Sequence, residues 1–130
     1  MAAAVDAILA GEPRDLALAK LIDAFDLAVT DEAKYATIEG EPKLTGDARL
    51  YALAGAMAEY LAKQRRLGCV PSWVCDPLRR LDSPWFTVAS PTDAMREFLT
   101  FSSPGEFASR NIFTEERPLR RARGLGQTNT

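Results

Sequence analysis

The chain has 130 residues, 47% of them hydrophobic and 26% charged, with a formal net charge of −2 and a sequence pI near 5.2. That length fits one ordinary domain with enough apolar surface for a core, and the charge content is globular and not that of a disordered chain. A net acidic balance argues against phosphate neutralisation as the main business of the protein, and the absence of histidine excludes Ser–His and Cys–His nucleophilic sites and removes the commonest metal ligand.

The charge is uneven. Residues 1–60 carry 5 Lys/Arg against 11 Asp/Glu, and residues 61–130 carry 11 against 7. An acidic half and a basic half are suited to pair with each other or to face separate partners. The opening MAAAVDAILAG has no basic stretch before its apolar run and contains Asp6, so it reads as a short helix over 3–10 and not as a signal peptide. No apolar run reaches the length of a membrane span. The expected location is the cytoplasm, with both cysteines reduced.

In chain order, Gly11 ends the first helix and Pro13 opens a second over 13–29, whose apolar positions are Leu16, Leu18, Leu21, Ile22, Phe25 and Val29. Residues 30–45 form a connection punctuated by Gly40 and Pro42, with a helical turn at 31–36. The strongest helix is 47–66. Asp47 is its N-cap, Leu50, Leu53, Ala54, Met57, Tyr60 and Leu61 form its stripe, and Arg65, Arg66 and Gly68 end it. The small residues Ala48, Ala52, Gly55, Ala58 and Ala62 let a neighbour approach closely and read as packing positions, not a ligand site. After Gly68 the pieces are short. Asp76–Pro77 starts a turn of helix, Ser90–Pro91–Thr92–Asp93 reads as a capping box opening a helix to about Phe101, and Ser103–Pro104–Gly105–Glu106 repeats it to about Asn111. Thr114 is placed to cap a last piece over 115–123. VPSWV and WFTVA are the strand-like runs. The expected fold is all-α: an irregular bundle of about five to seven helices in a single domain over 1–123, with a flexible tail over 124–130.

Few constellations carry chemistry. Cys69 and Cys75 lack the spacing of a zinc or redox pair and read as buried or half-buried thiols. Asp23, Asp26, Asp31, Glu32, Glu39 and Glu41 suit a solvated face better than a pair of catalytic acids. The GLG at 124–126 lacks the strand and helix a phosphate loop needs. No metal, cofactor or catalytic residue is expected, and the chain is not expected to be an enzyme. Aromatic residues concentrate at Trp73, Trp85, Phe86, Phe98, Phe101, Phe107 and Phe113, most expected in the core and one or two as partner anchors. The arginines at 65, 66, 79, 80, 110, 117, 120, 121 and 123 suit ion pairs with Glu106, Glu115 and Glu116, docking on an acidic protein, or nucleic acid.

The order of motifs is Pro71 and Trp73, Asp76–Pro77, Pro84–Trp85–Phe86, then Ser103–Pro104, Phe107 and Arg110–Asn111–Ile112–Phe113, after an Ala-rich helix over 48–62. This order resembles a family of small bacterial proteins often encoded beside minimal nucleotidyltransferase-like toxins or joined to helix-turn-helix regulators. The resemblance covers roughly 48–123, and the Ser-Pro…Arg-Asn-Ile-Phe box is its specific part. It implies an antitoxin whose partner is a cognate toxin protein, blocked by steric masking. The expected contacts are Trp85, Phe86, Arg110, Asn111, Phe113, Arg117, Arg120 and Arg121. The alternative is a DNA-binding or autoregulatory protein using the basic C-terminal tract, although residues 1–45 show no helix-turn-helix.

Overall fold

A computed structural model describes residues 1–43, 46–88 and 90–115. The described residues are all-α in character. They hold six α-helices, two 3-10 turns and one two-residue strand pair. The chain forms two compact units, Met1–Lys43 and Leu44–Pro118.

The first unit is a three-helix arrangement of α1 (Ala2–Leu9), α2 (Arg14–Leu27) and α3 (Asp31–Glu39), with α2 packed against both others. Gly11, at φ +112°, makes the turn after α1, a conformation that residues with a Cβ rarely adopt. Pro13 precedes α2 as its cap residue and is not its first residue. Val5, Ala17, Leu18, Leu21, Ile22, Phe25 and Ile38 form the core. Val29, placed on the apolar stripe from spacing, is instead 94% exposed, because the backbone turns extended at Ala28 and takes Val29 off the helical face. Leu16, on the same stripe, is also exposed, at 39%. The connection expected over 30–45 is largely helical. Thr30 Oγ1 accepts from the Ala33 amide at 3.1 Å and starts α3 there. Lys34 of α3 reaches back to the carbonyls of Phe25 and Asp26 at 3.0 and 3.2 Å. A cation thereby meets the negative end of α2, whose own last turn has no basic residue.

The second unit is built round α4 (Ala48–Gln64). Asp47 Oδ1 accepts from the amides of Arg49 and Leu50. At the other end Arg66 and Gly68 take positive φ and terminate the helix. Every residue from Leu50 to Ala58 is buried. A surface helix buries one stripe; one with Ala52, Ala54, Gly55, Ala56 and Ala58 at its middle is thin enough to be covered all round. What covers it is short: the 3-10 turns Ser72–Cys75 and Pro77–Arg79 and the single-turn helix α6 (Gly105–Ala108). α5 (Asp93–Ser102) buries only Leu99.

Both expected capping boxes are corrected. The cap of α5 is Thr92, whose Oγ1 accepts from the Met95 amide at 3.2 Å; Ser90 sits at φ +48° before it. Ser103 does not cap α6. Its hydroxyl donates to the Leu99 carbonyl and accepts from the Thr114 amide at 2.7 Å, tying the end of α5 to the chain beyond α6. The expected helix to Asn111 stops at Ala108, and residues 112–113 instead form β2 (Ile112–Phe113). This strand pairs in parallel with β1 (Trp85–Phe86) in the register Trp85↔Ile112 and Phe86↔Phe113. Residues 115–123 and the tail over 124–130 lie, apart from Glu115, outside the described residues. No helix among the described residues is long and apolar enough to cross a membrane.

Candidate functional site

Two places gather the side chains singled out by sequence: a buried node across the middle of α4, and the surface formed by β1, β2 and α5.

The node rests on Gly55. A Cβ built on Gly55 would meet Arg79 Cδ at 3.0 Å and Arg110 Nε at 3.2 Å. The missing side chain is therefore the space through which two arginines cross the helix. Arg79 is fully buried. Its guanidinium lies between the rings of Tyr51 and Trp73, at 3.8 and 4.4 Å from their centroids. It donates to the carbonyls of Trp73 and Tyr51 at 3.2 and 3.0 Å. A weakly hydrated planar cation is the one charged group that fills such a slot with its donors met. Tyr51 in turn donates to Asp76 Oδ2 at 3.1 Å, and Asp76 Oδ1 caps the 3-10 turn that carries Arg79.

Arg110 is 8% exposed. It donates to Glu59 at 2.8 Å, to the Glu106 carbonyl at 2.6 Å and to the Val74 carbonyl at 2.8 Å. One side chain thus ties α4, the first 3-10 turn and α6 together. Burial alone would push the Glu59 carboxyl up; the hydrogen bond and charge of Arg110, with Lys63 behind, outweigh it and hold the carboxyl below its ordinary value. The carboxylate that pairs with Arg110 is Glu59, on α4, which the sequence did not single out. Asn111 also faces inward. It sits at φ +63°, a conformation asparagine tolerates. Its side-chain amide donates to the Leu81 carbonyl at 2.6 Å, and its backbone carbonyl accepts from the Trp85 backbone amide at 2.8 Å. The Arg-Asn-Ile-Phe box is therefore an internal brace that ends α6 and aligns the two strands.

Trp85 is buried, with the Arg49 guanidinium 5.1 Å from its ring. Phe86 and Phe113 remain half-exposed, stacked at 5.1 Å and 25° by the parallel register, with Arg96 of α5 at 5.8 Å over Phe86. Arg117, Arg120 and Arg121 lie outside the described residues. Of the other aromatics, Trp73 and Phe107 are buried as expected, whereas Phe98 and Phe101 of α5 are 64% and 83% exposed. Cys69 and Cys75, expected to be buried or half-buried, are both exposed. No group of three or more Cys, Asp or Glu able to hold a metal ion is found among the described residues. An open groove of about 500 Å³ lies between the last turns of α4 and the start of α6, with Tyr60, Lys63 and Arg66 on one wall and Ser102 and Glu106 on the other.

No family model matches the chain, and neither a curated protein nor a solved structure is found to be similar to it.

Proposed function

We propose that this chain is a non-enzymatic protein-binding module of the bacterial cytoplasm, an antitoxin that neutralises a nucleotidyltransferase-like toxin by covering its working surface. The observation that carries the reading is the division of labour among the conspicuous side chains of the second unit. Arg79 and Arg110, the two arginines at the centre of the unit, are consumed by backbone carbonyls, aromatic faces and Glu59. Large aromatic side chains of the same unit stay at the surface: the Phe86–Phe113 stack, and Phe98 and Phe101 on α5. Exposed large aromatics next to arginine are what protein interfaces use as anchors, whereas a catalytic centre needs converging polar groups. Of the expected contact residues, Phe86 and Phe113 keep surface available, and Arg117, Arg120 and Arg121 follow directly in the chain. Trp85, Arg110 and Asn111 support the surface from below.

The test is co-expression and co-purification with the protein encoded beside this chain, together with growth of cells expressing that protein alone or with it. A stable complex and restored growth are expected. A toxic neighbour that forms no complex, and whose toxicity is not relieved, overturns the reading. The second reading, DNA binding through the basic tract from Arg117 onward, is separated by a gel shift on the chain's own promoter at two salt concentrations; binding that weakens steeply with salt would support it.

A further inference from the structure

α5 is the least buried helix of the second unit, and its exposed face is ordered by chemistry. At about 100° per residue, successive positions round the helix run from Ser102, through Phe98, to Phe101 with Ala94, and then to Glu97 and Asp93. Ser102 lines the groove at the end of α4, so Phe98, one turn earlier on the same side, continues the groove on to the outer face. Phe98 and Phe101 are 64% and 83% exposed, and they adjoin each other at i and i+3. The two edges of this apolar strip differ in charge. On the groove side stand Lys63 and Arg66; on the far side stand Glu97 and Asp93. Lys63 is paired with Glu59 at 3.2 Å. Arg66, Glu97 and Asp93 have no side-chain partner among the described residues. Glu106 on the α6 wall leaves the groove net positive.

We propose that this strip is the primary docking site for the partner of the preceding reading, on which the inference rests. Its occupant is an amphipathic helix of the partner protein, with apolar side chains over Phe98 and Phe101, a carboxylate at the Arg66 edge and a cation at the Glu97 edge. The opposite signs of the two edges match such a helix in one direction only, so they fix its polarity as well as its place. Other occupants are disfavoured by the edge charges or by the helix dipole. A second copy set antiparallel by a two-fold axis keeps like edges together and brings Glu97 against its own mate, and a parallel pair aligns the two helix dipoles. An anionic membrane meets Asp93 and Glu97.

The experiment is titration calorimetry of the complex with the neighbouring gene product, using Phe98→Asp, Phe101→Asp, Arg66→Glu and Phe86→Ala chains whose thermal melts are compared with the unaltered chain. Both phenylalanines are exposed, so the melts stay unchanged. Each Asp substitution is expected to weaken binding by at least about ten-fold. Arg66→Glu is expected to weaken it by about three- to ten-fold, with a flatter salt dependence. Binding that survives both Phe substitutions but is lost in Phe86→Ala overturns the proposed site while the antitoxin reading stands. Absence of any complex with the unaltered chain overturns both. A dimer in sedimentation that Phe98→Asp disperses, or pelleting with phosphatidylserine vesicles that Phe101→Asp abolishes, assigns the strip to another occupant and likewise overturns it.

Discussion

Gly55 is the residue on which the second unit turns. In an exposed helix interior, glycine is about 0.5–1 kcal/mol worse than alanine, so Gly→Ala ordinarily stabilises. Here the added Cβ would stand 3.0 Å from Arg79 Cδ and 3.2 Å from Arg110 Nε. Both side chains are buried and held by hydrogen bonds, so neither has room to give. Overpacking of this kind costs about 1–3 kcal/mol, which exceeds the propensity gain. Gly55→Ala is therefore expected to lower the melting temperature, with a net loss of about 1 kcal/mol, and Gly55→Leu to prevent folding of the unit; thermal denaturation followed by circular dichroism checks both. The glycine was visible in the sequence within a run of small residues. What it makes room for was not, because Arg79 and Arg110 lie 24 and 55 positions further along.

The Arg110–Glu59 pair sets an acid limb on stability. The Glu59 carboxyl is held below its ordinary value of 4.5, so its contribution is complete above that pH and is lost as the pH falls through the lower, folded-state value. Glu59→Gln is expected to flatten this part of the stability–pH curve in urea unfolding at pH 3–7. Arg110→Met, which leaves Glu59 to Lys63 alone and takes the donor from the Glu106 and Val74 carbonyls, is expected to cost about 2 kcal/mol at neutral pH. A curve that keeps its slope in Glu59→Gln would assign the acid limb to other carboxylates.

At the scale of elements, helix existence was legible and helix boundaries were less so. The long periodic segments that became α2 and α4 appear within two residues of their expected ends at both termini, because 3.6-residue spacing and a cap at Asp47 are local signals. The short pieces after Gly68 were harder. Two Ser-Pro sequences look like helix starts, yet neither serine caps. Thr92 competes with Ser90 for the start of α5 and wins, since its hydroxyl reaches the Met95 amide. Ser103 is claimed by Thr114, eleven residues on. Thr92→Ala is accordingly expected to cost about 1 kcal/mol. Ser90→Ala is expected to cost less through lost capping, its remaining effect coming from the positive φ at that position, which Ser90→Gly relieves. Paired urea titrations of the three variants decide between the two caps. The strand pair was half-seen. WFTVA reads as extended, but its partner at Ile112–Phe113 falls between two predicted helical pieces, and a two-residue parallel pairing leaves no alternation to read.

For the whole molecule, composition and pattern alone determined that the chain is helical, that it offers no histidine, and where the two longest helices among the described residues run. These are properties of residue type and local spacing, and they need no knowledge of what meets what. Tertiary structure decided which side of each conspicuous residue is used. Arg110 and Asn111 are expected contacts by resemblance; the fold turns both inward, where the carbonyls of Val74, Glu106 and Leu81 take their side-chain donors. Phe98 and Phe101 were counted mainly with the core, and the fold leaves them outside, because α4 is already covered on every side by 3-10 turns, α6 and two arginines. A sequence records that aromatic and guanidinium groups exist in abundance. Only the distant packing of Arg79 and Arg110 over Gly55 decides which of them are spent inside and which remain for a partner.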